Sequence, residues 1–208
     1  MTGSANPGTM TVAVVKQLCD QIAWCAPTVL EPTLELALEI AREGREGRRI
    51  GTIFTLGRAE AVLTSSRAMI LDPLLGHAPA RTHITDPDLR GTIKELAQLD
   101  GAFVISETGT VVASCRYLDA SVEQIALPLG FGSRHLAAAS ISRHLGVVAI
   151  VVSESGVVRL FHDGQIKATL IPELWLLDRH HTQLSLGAAG DIEVQRLGGQ
   201  HDGLLRSQ

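Results

Sequence analysis

The run Val147-Val148-Ala149-Ile150-Val151-Val152 is apolar at every position, so a strand built from it has two faces that both need covering. Such a segment belongs in the middle of a sheet with a layer packed on either side. Ser153-Glu154-Ser155-Gly156 follows at once, and then a second β-rich stretch, Val157–Phe161, which together read as a hairpin with glycine in its turn. The run is also the longest uninterrupted apolar one in the chain, and it falls far short of the ~18 residues that suggest a membrane span.

The same grammar recurs. Ala102–Ser106 and Thr110–Ser114 flank Glu107-Thr108-Gly109, and Asp163-Gly164 leads into Gln165–Ile171. The likeness of ISETGTVVAS to VVSESGVVRL is shared hairpin grammar rather than an internal repeat. Ile50–Leu56 adds another strand. Helical spacing appears at Val14, Val15, Leu18, Ile22 and Cys25, a segment that Pro27 is expected to end. Pro32 then stands as the first residue of a helix with Leu34, Ala37, Leu38 and Ala41 on one face, closed by Gly44 and Gly47. Leu89–Leu99 and Ser133–Leu145 read as two more helices, the second with a small-residue run, Ala137–Ser140, that allows close approach to a sheet. Residues 57–87, broken by Pro73, Gly76, Pro79 and Pro87, read as a long loop. The expectation is an α/β fold: a mixed, largely antiparallel central sheet flanked by helices, with an N-terminal helical appendage. The organisation expected is a helical segment over 1–48 that opens on a flexible start (1–10), a main domain over 49–175, and a His- and Gly-rich tail over 176–208.

Composition narrows the classes. Apolar residues make up 45% of the 208, charged residues 19%, and the formal net charge is −4. A disordered chain would need fewer of the first and more of the second. Aromatics are only 3%, so the core is aliphatic. No basic stripe follows a long nucleic acid, so no nucleic-acid partner is expected. The three cysteines, Cys19, Cys25 and Cys115, lack paired Cys-x-x-Cys spacing, which speaks against a disulfide framework or structural zinc. With no signal-peptide pattern and no span, a cytoplasmic protein without a membrane partner is expected.

Three short segments carry chemistry. In Gly130-Phe131-Gly132-Ser133-Arg134-His135, two glycines precede a helix start for which Ser133 is the expected N-cap. A first helical turn favours acids, yet this one holds Arg134 and His135, a conflict worth a few tenths to ~1 kcal/mol. An anion there removes the conflict, because backbone N–H groups, the Ser133 hydroxyl and the Arg134 guanidinium would converge on a phosphate. The plainer alternative pairs Arg134 with a surface carboxylate and leaves His135 solvated. Asp100-Gly101-Ala102 is either an ordinary turn or a place where Asp100 holds a divalent cation or helps deprotonate a hydroxyl, with Gly101 admitting a nucleotide close to the backbone. Ser153-Glu154 is either an ordinary hairpin turn or the second half of a metal site with Asp100; Mg²⁺ and Mn²⁺ favour one or two carboxylates plus phosphate oxygens. The remaining histidines, His77, His83, His144, His162 and the pair His180-His181, have no partner pattern, and Arg45, Arg48 and Arg49 read as a solvated helix end.

LDGAFVIS (99–106), GSRHLAAASIS (132–142) and VVSESGVVRLF (151–161) together resemble the diadenylate cyclase domain, found in the bacterial DNA-integrity scanning protein, in membrane-bound bacterial cyclases and in archaeal homologues. The family's Asp-Gly-Ala signature matches Asp100-Gly101-Ala102. Its Gly-Thr-Arg-His-Arg signature matches Gly132-Ser133-Arg134-His135-Leu136, with Ser for Thr and Leu136 in place of the second Arg. The likeness runs over roughly residues 88–172, in order and spacing. It implies condensation of two ATP molecules into cyclic di-AMP and two pyrophosphates, with Mg²⁺ or Mn²⁺ as cofactor, across a face-to-face homodimer or higher homo-oligomer. By the same resemblance Asp100 binds metal and assists the attacking 3′-hydroxyl. Ser133, Arg134 and His135 bind phosphate and stabilise charge, and Ser153 and Glu154 contact phosphate and metal. Tyr117 and Leu118 fall where the family packs adenine; core packing is the alternative for Tyr117. Two rivals keep the fold and change the function: a catalytically silent nucleotide sensor, and a nucleotidyltransferase with another dinucleotide product.

Overall fold

The computed structural model describes residues 8–119, 125, 127–128 and 130–176. The expectations for the first seven residues, for most of the tail and for His180-His181 lie outside these. The elements are α1 (Gly8–Gln21), α2 (Pro27–Glu43), β1 (Thr52–Leu56), α3 (Ala59–Thr64), β2 (Ser66–Ala68), α4 (Pro87–Leu96), β3 (Ala102–Ile105), β4 (Val111–Leu118), α5 (Ser133–Leu145), β5 (Val148–Val152), β6 (Val158–His162) and β7 (Gln165–Leu170). The strands form one seven-stranded sheet in the order β2-β4-β3-β1-β5-β6-β7. β1 and β3 run parallel and every other neighbouring pair is antiparallel, so the sheet is mixed and mostly antiparallel, as the hairpin grammar indicated.

β5 is the central, doubly covered strand that its all-apolar sequence requires. Val148, Ile150 and Val152 join Phe54, Leu56, Phe103 and Ile105 under α1, α2 and α4. Ala149 and Val151 point the other way and join Ile53, Val104 and Phe161 under α5. There the small-residue run does what its size permits: Ala138, Ala139 and Ser140 are fully buried against the strands. The Asp163-Gly164 turn has both residues at positive φ, 51° and 72°, the geometry of a two-residue hairpin whose twist suits the flanking strands.

α2 departs from the reading of its prolines. Pro27 does not end the preceding helix; it occupies the first turn of α2, behind Ala26 at the N-cap. Pro32 is interior, where its ring forfeits the bond to the Thr28 carbonyl and costs about 3 kcal/mol. Leu30, Leu34, Leu36, Leu38 and Ile40 are each at most 2% exposed. At about 1.5–3 kcal/mol per side chain their burial outweighs the proline, and the helix runs on. Residues 57–87 are also more ordered than a bare loop: α3, the edge strand β2 paired with β4, and a short 3₁₀ turn at Pro79–Arg81 lie within them. β4 runs on to Leu118, past the expected end at Ser114, which carries Arg116 and Tyr117 to the sheet edge beside β2. No helix among the described residues is long and apolar enough to cross a membrane.

Candidate active site

The sheet register brings three chain segments to one place. Ile53 pairs with Ala102 and Thr52 with Val152, so the start of β1 is flanked by the start of β3 and the end of β5. Asp100 sits just before β3, Glu154 just after β5, and Arg134 in the first turn of α5. Arg134 donates from Nη2 to Asp100 Oδ1 at 3.1 Å and from Nη1 to Glu154 Oε1 at 2.7 Å. The guanidinium therefore pairs with carboxylates, as the plainer alternative held, but those carboxylates are the two candidate metal ligands.

Gly51, which no sequence motif marks, makes this arrangement possible. A Cβ built there would stand 2.7 Å from Arg134 Nη1 and 3.2 Å from Glu154 Cγ. The ion pair rests on bare backbone.

Ser133 is not the N-cap. Gly132 holds that position, in extended conformation and without a side-chain cap, and Ser133 is the first helical residue. Its hydroxyl is thus not spent on capping. A helix start leaves its first N–H groups without intrahelical acceptors, and here its first two residues, Ser133 and Arg134, line two cavities. One, of about 220 Å³, is bounded by Gly132, Ser153 and Glu154. The other, of about 420 Å³, is bounded by Asp100, Gly101, Ala102, Tyr117 and Leu118. Polar donors thus face one cavity and a more apolar wall the other, the division a triphosphate and a base would need.

Gly101 has a different reason from the one its motif suggests. At φ +113° its missing Cβ points at the β4 backbone, 2.5 Å from the Cys115 carbonyl carbon, beside an irregularity in the β3–β4 pairing. Tyr117 is 45% exposed rather than in the core, with Arg67 4.4 Å above its ring. Leu118 is buried beside it. Leu136 lines the same cavity, adding apolar surface where a second arginine would add charge.

His135 is neither solvated nor charged. It is buried, with Phe131 and Phe161 packed edge-on around its ring. Its Nε2 lies 3.1 Å from Arg159 Nη1; a guanidinium only donates, so Nε2 accepts and a neutral ring carries its proton on Nδ1. Burial first, then the charges of Arg159 and Arg134, push its pKa below the ordinary value. The positive charge at this helix start is Arg134's, and His135 instead ties α5 to β6. Arg159 also stacks on Phe131, in the loop that enters the site. Arg49 is not merely a solvated helix end: its guanidinium lies over Gly156, in the turn that carries Glu154. His83, His144 and His162 hydrogen-bond to backbone carbonyls away from the site.

The family profile described as DAC, DisA bacterial checkpoint controller nucleotide-binding, matches residues 39–166. The chain belongs to the DAC family. A diadenylate cyclase of Methanocaldococcus jannaschii is 46% identical over 138 residues, 66% of this chain and 43% of that protein. A diadenylate cyclase of Haloferax volcanii is 37% identical over 150 residues, 72% of this chain and 55% of that protein. The matched region thus spans about half the length of these curated relatives. In fold, the chain resembles the crystal structure of a hypothetical membrane-spanning protein from Bacillus cereus, with a TM-score of 0.53 at 17% identity over 71% of this chain and 67% of that one. Asp100, Arg134 and Glu154 all lie inside the DAC match, whereas α1 and most of α2 precede it.

The donor set suits the hard divalent cation expected of a DAC domain. Among the described residues no group of three or more His, Cys, Asp or Glu side chains could hold a metal. Two carboxylates do converge, on Arg134, and Mg²⁺ or Mn²⁺ commonly binds through one or two carboxylates with water and phosphate oxygens completing the shell.

Proposed function

We propose that this chain is a diadenylate cyclase, joining two ATP molecules into cyclic di-AMP with release of two pyrophosphates. The observation that carries the reading is the convergence of Asp100, Arg134 and Glu154 at the start of α5 in a chain of the DAC family. In the reaction the 3′-oxygen of each ATP forms a bond to the α-phosphorus of the other. The bond from that phosphorus to pyrophosphate breaks, and the hydroxyl proton is lost. Such a transfer needs in-line placement and charge neutralisation more than covalent help.

The roles follow from position. The α5 N–H groups, the Ser133 hydroxyl and Arg134 hold phosphates, with Gly132 and Ser153 forming the walls of the smaller cavity. Asp100 and Glu154 would hold Mg²⁺ or Mn²⁺, which would supply further charge neutralisation at phosphorus. Asp100 also orients the attacking hydroxyl. Gly101, Ala102, Tyr117 and Leu118 line the place for the nucleoside. His135 positions the helix start rather than touching phosphorus.

One site holds one ATP, so two copies must face each other, and the working form is a homodimer or larger homo-oligomer. Exposed apolar side chains after β2 support this: Met69 lines the cavity, and Leu71 and Leu75, which follow it in the chain, are 93% and 80% exposed. The partners proposed are ATP and a second copy, with no nucleic acid or membrane, and the place of action is the cytoplasm, where ATP is made and used. Leu136, which removes one cation from the family motif, is the one feature that favours a silent sensor.

Mass analysis of the products formed from ATP with Mn²⁺ or Mg²⁺ tests the reading. Cyclic di-AMP supports it. ATP bound but unchanged would replace it with the sensor, and a different dinucleotide would replace it with another nucleotidyltransferase.

A further inference from the structure

We infer that Arg134 is a built-in stand-in for the divalent cation, so that metal enters this site together with a nucleotide's phosphates and not alone. The identity of the ligands rests on the cyclase reading; the competition itself rests on geometry.

One guanidinium engages both carboxylates, and neither Asp100 nor Glu154 has another ion-pair partner among the described residues. Both carboxylates are open to solvent, at 74% and 65% side-chain exposure, so a cation can reach them. Gly51 leaves the floor under the pair bare, and any side chain there would occupy the space that the guanidinium fills. Arg134 also sits in the first turn of α5, where the helix dipole disfavours a cation. The two carboxylates offset that penalty. A phosphate at the same helix start would offset it equally well.

Arg134 therefore has two destinations and the metal has one. A free divalent ion must take the carboxylates from Arg134 and leave the guanidinium unpaired beside a helix start. When the ion arrives with a triphosphate, Arg134 moves onto phosphate as the carboxylates turn to metal, and every charge keeps a partner. Metal and triphosphate thus bind cooperatively through a single side chain, with a coupling on the order of tenfold or more.

The test uses the full chain without nucleotide and measures binding of Mn²⁺ alone, by the electron paramagnetic resonance signal of the free ion. Arg134→Gln, which removes the competing charge, binds Mn²⁺ about tenfold tighter than the wild type. Arg134→Lys, which keeps the charge, stays near the wild type. In EDTA, Arg134→Gln binds ATP more weakly, so the two ligands shift in opposite directions. Mn²⁺ binding to Arg134→Gln no tighter than to wild type overturns the inference, and it does so even if the protein makes cyclic di-AMP. Tighter Mn²⁺ binding by Arg134→Gln sustains the inference even if the product assay shows another dinucleotide.

Discussion

Gly51 lies directly beneath Arg134: a methyl group added at residue 51 would stand 2.7 Å from Nη1 and 2.9 Å from Cζ of that side chain. The atoms it would strike are the far end of a flexible side chain, and Gly51 is not among the glycines at positive φ. Gly51→Ala is therefore expected to fold, with stability within about 1 kcal/mol of wild type, while the guanidinium loses its seat. Turnover of ATP should fall about 10- to 100-fold, as when one preorganised donor is lost. Melting curves run beside steady-state rates check this; wild-type turnover in the variant would remove Gly51 from the site.

Gly101→Ala should behave in the opposite way. At φ +113° and 2.5 Å from the Cys115 backbone, the new methyl meets atoms that cannot swing aside. Backbone strain and the forced shift together cost about 3–5 kcal/mol. A drop in Tm of roughly 10 °C or more, or loss of soluble protein, is expected. A variant as stable as Gly51→Ala would contradict the close approach to β4.

His135 makes stability depend on pH. Its pKa is lowered in the folded protein from an ordinary 6.5, because burial and the neighbouring Arg159 and Arg134 oppose the imidazolium. The unfolded chain takes up that proton near the ordinary value and the folded chain does not. The contribution to stability is therefore full above about pH 6.5 and is lost as the pH falls below it toward the folded value. In urea unfolding at pH 7.5 and 5.5, wild type should lose more stability than His135→Gln, which stays neutral. Equal losses in the two proteins would show that His135 does not titrate this way.

The exposed leucines that follow Met69 in the chain predict an assembly defect. Leu71 and Leu75 are exposed in the segment around Asp72, which accepts from the Ser114 hydroxyl at 2.8 Å and from the Leu74 N–H at 3.0 Å. Replacing both leucines by Glu should dissociate the proposed oligomer and abolish cyclisation at micromolar protein, while each subunit still binds ATP. Sedimentation velocity beside the product assay checks this; a monomer with full activity would contradict the two-copy mechanism.

Much of this site was legible because its residues break local rules. Arg134 is misplaced by the helix dipole, which marks the residue; the structure meets that misplacement with two carboxylates, the plainer of the two alternatives. Val147–Val152 announced a central strand because no half-exposed strand is apolar at every position. What stayed hidden depends on tertiary packing. Pro32 sits inside α2 because buried leucines outweigh a proline, a comparison that needs the sheet beneath them. β2 has three residues, too few to show a period. Gly51 and Arg49 matter through contacts with the first turn of α5 and the turn after β5, and nothing near them in the chain signals it. The partnership of His135 with Arg159 crosses from α5 to β6, so a motif read along the chain could not show that the ring is buried and paired rather than solvated.

The proposal that Asp100, Arg134 and Glu154, which meet in the structure, form a catalytic site is tested most directly by comparing wild type with Asp100→Asn. Each is incubated with ATP and Mn²⁺, and the dinucleotide product is quantified by mass. Asp100 is exposed, so the variant should fold as wild type does. The expected result is cyclic di-AMP from wild type and a loss of at least about 100-fold in Asp100→Asn, with the melting temperature little changed. Undiminished product from a correctly folded Asp100→Asn would contradict the site.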